Sequence, residues 1–309
     1  MKKVLLFALC LMIIQLSVVQ AAETDGVTAS GELQLLVSTL PEMKLGFTEH
    51  FTFPFLQGKS PLTEGNNIDL ALTAELSPIS LNGVVEAVWT PIAFFQLAAG
   101  GRIGSGWNLE LFNNEIRGIG INRPIAGGKA ETDGKAFDGL LYKKQLGIAL
   151  QADAAAFFPG DWNHVVFRTY HEINYKGYTR AGRKDAWFYE NDDGENCIGH
   201  NYYGNILIGY QMPIMLDFVA LLAEMDLYLY DTPDRGKWGD DKIRWTFSAI
   251  GNLSFTRKIS LSLITQFRTR RNYNEPDWED LYYRNRTIDN SSPLHLEFYR
   301  VAAALTYKL

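Results

Sequence analysis

Alternation with a period of two runs through this chain and leaves little room for helices. In 258–268, Ile259, Leu261, Leu263 and Phe267 fall on one side with Thr265 among them. Lys258, Ser260, Ser262, Gln266 and Arg268 fall on the other, and Ile264 is the exception. In 243–255, Ile243, Trp245, Phe247, Ala249, Leu253 and Phe255 oppose Arg244, Thr246, Ser248, Asn252 and Ser254. In 68–76, Ile68, Leu70, Leu72, Ala74 and Leu76 oppose Asp69, Thr73 and Glu75. Successive strand residues point to opposite faces, so these stretches read as strands with one apolar face. Many reach the roughly 9–11 residues that a strand needs to cross a bilayer, against roughly 5–6 in soluble sheets. Beyond the N-terminus no apolar run is long enough for a membrane helix. A chain that spans a membrane on strands must close its sheet, because only closure pairs every backbone N–H and C=O away from water. The expected fold is therefore all-β, a closed antiparallel transmembrane β-barrel of about 12 strands, within a range of roughly 10–14. A secreted β-sandwich is the soluble alternative.

The N-terminus supplies the context. Lys2 and Lys3 precede a nearly continuous apolar stretch, Val4 to Val19, broken by Gln15 and Ser17 and followed by small residues at Ala21 and Ala22. That is the layout of a cleavable secretory signal peptide, expected over 1–21, with one domain over 22–309. Cys10 lies inside the apolar stretch behind the bulky Leu9, which argues against a lipoprotein. Removing Lys2 and Lys3 takes the formal charge from −6 to −8. An acidic exported chain is a poor nucleic-acid binder by bulk charge. Cys197 is the one cysteine after the signal, so no intrachain disulfide and no thiolate metal cluster is expected.

Connection lengths test the barrel further. Strands are expected at 30–40, 43–56, 67–77, 79–90, 92–103, 140–157, 164–176, 201–212, 216–230, 242–256, 258–270 and 294–309. With both termini in the periplasm, the connections at Pro91, Pro159–Asn163, Pro213–Met215 and Arg257 are short and fall on that side, together with a medium turn at 57–66. The long segments 104–139, 177–200, 231–241 and 271–293 all fall outside, with short outer turns at Pro41 and Pro78. Short periplasmic turns alternating with long outer loops are the rule for bacterial barrels. Trp89, Trp245, Phe255, Tyr299 and Tyr307 sit near strand ends, where an aromatic girdle belongs.

On these features the chain resembles single-chain bacterial outer-membrane β-barrel proteins of porin type, over the whole length after the signal. The final strand, HLEFYRVAAALTYKL, places Tyr299, Val301, Ala303, Leu305, Tyr307 and Leu309 on one face. The resemblance implies that the insertion machinery of the outer membrane reads this strand. The family commonly ends in an aromatic residue, and Leu309 departs from that. The resemblance also implies an outer-membrane location, with that membrane's lipids as surroundings. It leaves open a homo-oligomer, and it reaches no functionally defined family.

If the apolar face meets lipid, the other face lines the lumen. It receives Arg102, Arg168, Glu172, Glu224, Asp226, Arg244, Arg268 and Arg300 as pore candidates, with Asp69, Glu75, Glu86, Lys143, Arg270 and Lys308 on the same face. Glu224 and Asp226 share a strand, and Arg244, Arg268 and Arg300 occupy the next three, so an acidic arc adjoins a basic arc. Rings of charged side chains are one way in which pores select. The competing expectation is that these charges pair across strands and plug the interior. Arg300, furthest from the two acids, is expected to be the least neutralised. Glu49 and His171 fall on the lipid face and need a bulge, an interfacial height or another register.

Other patterns carry little. The five histidines show no metal-ligand spacing; His164 and His171, seven apart on one strand, face opposite ways. No serine motif of the barrel-phospholipase kind is present, so no enzyme and no cofactor is expected. The glycine-rich 118–129 lacks a phosphate-loop pattern. The basic RTRR at 268–271 reads as a strand end gripping anionic lipid headgroups. Segment 177–200 carries Trp187, Phe188 and Tyr189 among acids, and 271–293 carries Tyr273, Trp278, Tyr282 and Tyr283 among acids. Such loops suit sugar stacking, divalent ions, protein contact or folding inward as a constriction. Two functions stand: a narrow channel for small hydrophilic solutes, or a structural or adhesive surface protein whose barrel anchors the loops.

Overall fold

The computed structural model describes residues 26–40, 42–111, 114–183, 185–190, 192–230 and 234–309. The expected signal peptide lies outside these residues. Twelve strands close into one antiparallel barrel. They are β1 (Thr28–Ser38), β2 (Met43–Pro54), β3 (Asn67–Leu76), β4 (Ser80–Ile92), β5 (Phe95–Gly106) and β6 (Leu141–Asp153). The second half comprises β7 (His164–Tyr178), β8 (Gly199–Gln211), β9 (Leu216–Tyr228), β10 (Arg244–Ser254), β11 (Ile259–Arg271) and β12 (Leu294–Lys308). Each strand pairs with its sequence neighbour, and β1 pairs with β12 to shut the ring, Leu33 opposite Tyr307 and Leu35 opposite Leu305. No α-helix occurs among the described residues, so none is long and apolar enough to cross a membrane.

The outer surface explains the period of two. Leu146, Leu221 and Ile208 stand 70%, 69% and 57% exposed, and apolar side chains of their kind ring the barrel. A continuous apolar belt of this extent has no place on a protein surrounded by water and fits a hydrocarbon surround. The inward face carries charges, amides and small residues such as Ala98, Ala149, Ala220 and Ala302. Leu263 lies on the outward face, opposite Gly251 and Ala303. Leu263→Arg should cost about 2–4 kcal/mol if the site is near the bilayer midplane. Urea titration of folding into lipid vesicles measures it, and an unchanged midpoint would refute the outward assignment.

Several boundaries differ from the expectation. The segment expected as 140–157 stops at Asp153, whose carboxylate accepts from the Ala155 amide at 2.9 Å and caps a single 3-10 turn. The strand expected at 92–103 is Phe95–Gly106, displaced by a tight turn after Ile92. A bulge between β11 and β12 has the larger consequence. Gln266 faces Arg300, yet the next pair is Phe267 with Phe298. One extra residue, Tyr299, is thereby accommodated, and faces N-terminal to it are inverted. Tyr299 does not join the outer girdle as expected. Its ring lies 4.3 Å from the Arg268 guanidinium and 5.1 Å from that of Arg300, while Phe298 turns outward.

Glu49 and His171 do face outward, without a bulge or change of register. His171 is satisfied in place: Nδ1 bonds the Tyr202 hydroxyl at 2.7 Å and Nε2 bonds Thr169 Oγ1 at 3.0 Å. Glu49 is covered at the β1–β12 seam, where Leu309 and Glu49 both reach over Gly31.

Candidate functional site

Barrel parity sends long segments 107–140, 179–198, 229–243 and 272–293 to one end and short turns to the other. The long segments do not extend into solvent. Strands Ile119–Pro124, Ala130–Asp133 and Ala186–Tyr189 form a small sheet across two of them. Backbone bonds join the others, Tyr282 N–H to Gly128 O at 3.0 Å and Ile288 N–H to Lys237 O at 2.8 Å. Trp187, Phe188, Trp238, Tyr282 and Tyr283 are all buried. These five rings are the core of a lid over the barrel mouth. Trp278 is the more exposed member, and its ring has Arg270 at 4.7 Å and Arg286 at 4.9 Å.

Glu195 is the hub of the lid. Its buried carboxylate takes Arg271 at 2.5 Å and Arg286 at 2.7 Å, and Arg271 Nε also donates to Gly239 O at 2.8 Å. Three of the four loops converge on one ion triad. The basic run at 268–271 is thus corrected: Arg268 and Arg270 point inward and Arg271 is buried under the lid, so none grips lipid. Cys197 lies in the same core, and burial pushes its thiol up to about 11, which leaves it unreactive at neutral pH.

The tip of segment 179–198 crosses the barrel mouth to the outer ends of β2 and β4 on the far wall. Glu190 accepts from Ser80 Oγ at 2.6 Å, Asn82 Nδ2 at 2.9 Å and Lys44 Nζ at 3.2 Å. The Tyr189 hydroxyl donates to Asn82 Oδ1 at 2.6 Å. These contacts tie a loop rooted between β7 and β8 to β2 and β4. Glu190 holds φ at +51°, a conformation that non-glycine residues adopt only when their surroundings impose it. Enclosure tends to raise its carboxyl, but Lys44 and the Ser80 hydroxyl outweigh that and hold it below the ordinary carboxylate range.

The constriction leaves open space to one side. A cavity of about 210 Å³ is lined by Asp193, Tyr203, Glu224, Asp226, Arg244, Arg268, Arg270 and Tyr299. A second, of about 250 Å³, lies past Tyr299 against Glu42, Lys44 and Glu190. Strand register places all eight candidate residues on the inward face. Four of the candidate side chains, Glu224, Asp226, Arg244 and Arg268, line the first cavity, and Arg300 stands behind it, 5.1 Å from the Tyr299 ring. Arg102, Arg168 and Glu172 belong to the other side of the wall, on β5 and β7.

Neighbouring strands pair most of these charges. Arg244 bonds Asp226, Arg268 bonds Glu297 at 2.8 Å, Arg102 bonds Glu75 at 2.6 Å and Lys143 bonds Glu172 at 2.7 Å. Arg168 packs its guanidinium 5.5 Å from the Tyr170 ring. Arg300 corrects the expectation that it is the least neutralised: Glu42, from the β1–β2 turn, bonds it, and Gln266 Oε1 accepts from its Nε at 2.6 Å. Glu224 instead takes only a hydroxyl, from Tyr203 at 2.7 Å, and Asp193 has no ion-pair partner among the described residues. Sequence reasoning does not bring Glu297, Tyr299, Glu42 and Glu190 to the lumen. The bulge hides the first two, and the others sit in connections where period two says nothing.

No family model matches the chain, and no curated protein matches it. Fourteen chains of solved structures match. One is titled KdgM porin, 8% identical over 91% of this chain and 98% of that one, with a TM-score of 0.39. Another is Salmonella typhi OmpF in complex with daunomycin, 7% identical over 92% and 97%, with a TM-score of 0.30. Overlap this loose adds nothing to the closure and register already described, and the transmembrane barrel rests on those.

Proposed function

We propose that the chain is an outer-membrane channel for small hydrophilic solutes, narrowed by segment 179–198 and mildly preferring cations. The observation that carries this reading is the imbalance beside the constriction. Every guanidinium along the arc has a carboxylate partner, while Glu224 and Asp193 face the cavity without a cation. Unpaired carboxylates in a confined aqueous passage concentrate cations, and fixed charge at the narrowest place governs selectivity. The polar wall and the inward loop support the reading, because a barrel serving only as an anchor needs neither. The adhesive alternative draws less support, since Trp187, Phe188, Tyr282 and Tyr283 lie inside the lid rather than on its surface.

The test is reversal potential across a salt gradient in a planar bilayer. Wild-type protein should prefer cations, and Glu224→Gln with Asp193→Asn should abolish that preference while current persists. Absence of any current from correctly folded wild-type protein would return the barrel to an anchoring role. A preference that ignores both substitutions would remove these carboxylates from the path.

A further inference from the structure

The outer wall is apolar around most of the barrel, but β6–β8 break the pattern. Lys144 faces outward there, as shown by its place between outward Tyr142 and Leu146. In register it stands beside Tyr175, which stands beside His200. Lys144, Tyr175 and His200 thus form one lateral row, spanning two strand spacings or roughly 10 Å. The Tyr175 ring lies 5.0 Å from His200 and 6.4 Å from Tyr142, which fixes the row in place. On its other side Lys144 faces Gly101, and below that Leu146 faces Ala99, so the wall beside the lysine is nearly bare of side chains.

We propose that this row binds the phosphorylated headgroup of a lipid from the leaflet nearer the long loops, with the acyl chain lying along Gly101 and Ala99. Lys144 is the fourth residue from the long-loop end of β6, roughly 10 Å along the strand, a depth from which its stem can carry the ammonium up to the headgroup level. It has no hydrogen-bond or ion-pair partner among the described residues. The polar cluster beneath it needs no ligand: Tyr202, His171 and Thr169 satisfy one another, and Thr169 donates onward to Asn205 O at 3.1 Å. A second copy of the chain is a poor partner. Among the described strand residues, Glu49 is the one carboxylate on the outward face, and it is covered beneath Leu309 on the β1–β2 wall. The anion that complements Lys144 therefore comes from the lipid. This rests on the barrel lying in a membrane and not on its conducting.

Native mass spectrometry of the refolded barrel in detergent tests it. The probes are a diphosphorylated diglucosamine lipid, its phosphate-free form, and inorganic phosphate as competitor. The phosphorylated lipid should be retained at least several-fold better than the phosphate-free one, with the preference falling as salt rises. Lys144→Gln with His200→Gln should remove the preference and leave conductance unchanged. Equal retention of both lipids overturns the proposal, as does a preference that survives the double substitution. Full displacement by inorganic phosphate would leave a bare anion site and overturn the lipid assignment. A dimer lost on Lys144→Gln would give the face to a second copy. Should the double variant fail to refold, the wild-type lipid preference and its salt dependence decide alone.

Discussion

Glu195→Ala should open the lid while leaving the barrel closed. The substitution strands Arg271 and Arg286, both buried, with no carboxylate between them. Breaking a buried ion pair from one side costs about 3–5 kcal/mol, because the orphaned charge remains enclosed. The barrel ladder does not depend on Glu195, so the loss falls on loops 179–198, 229–243 and 272–293. Limited proteolysis should then cut these loops, while the folded barrel keeps its shifted mobility on unheated gels. Single-channel current should rise as well. Unchanged protease resistance would show that the aromatic core holds the lid without the triad. Glu195→Gln, which retains acceptor capacity for one arginine, should give an intermediate result.

The second large effect is expected at the loop tip. Glu190→Gly with Tyr189→Ala removes every side-chain tie to Ser80, Asn82 and Lys44. Hydrogen bonds to a charged group contribute about 1.5–3 kcal/mol each, so the tip should leave the far wall. Conductance should increase severalfold, and the large open-channel noise of an untethered loop should appear. Glycine also relieves the positive φ at 190, so a loop that stays in place would show that strain, not adhesion, is the dominant local effect. The same carboxyl sets a pH dependence. Its titration is lowered in the folded loop, so the latch contributes fully above the ordinary carboxylate range and is lost progressively as pH falls from that range through the lowered value. Current that steps up between pH 6 and 5 would contradict this.

The strands were legible because each must satisfy two solvents. A residue such as Leu261 or Leu263 meets hydrocarbon and its neighbours Ser260 and Ser262 meet the interior, so the alternation survives in the sequence. The first two strands formed at Thr28–Ser38 and Met43–Pro54, displaced by two residues at most from the expected 30–40 and 43–56. What stayed hidden obeys no period. The bulge at Tyr299 inverts the face of Glu297 and Phe298 without leaving a glycine or a proline to mark it. Glu190 and Lys44 are 146 positions apart, and Glu195 and Arg286 are 91 apart. Only the closed barrel brings such pairs together. The clustering of aromatic and acidic residues in 177–200 and 271–293 was visible, but its purpose was not, because exposed and internal loops share that composition.

The lid also carries information about time. Its pieces come from between β5 and β6, β7 and β8, β9 and β10, and β11 and β12, so no two adjoin in sequence. Arg286 cannot reach Glu195 until the segment before β12 is held, and β12, paired first with β11, is held on both edges only when it meets β1. Contacts between distant parts of a chain form late, after the ring-closing entropy has been met. A half-inserted sheet would therefore display Trp187, Trp238 and Tyr283 to water and to proteases. Burial of Trp238 against Tyr283 thus marks a chain whose last strands are in place, and an assembling cell could discard uncompleted copies by that mark alone.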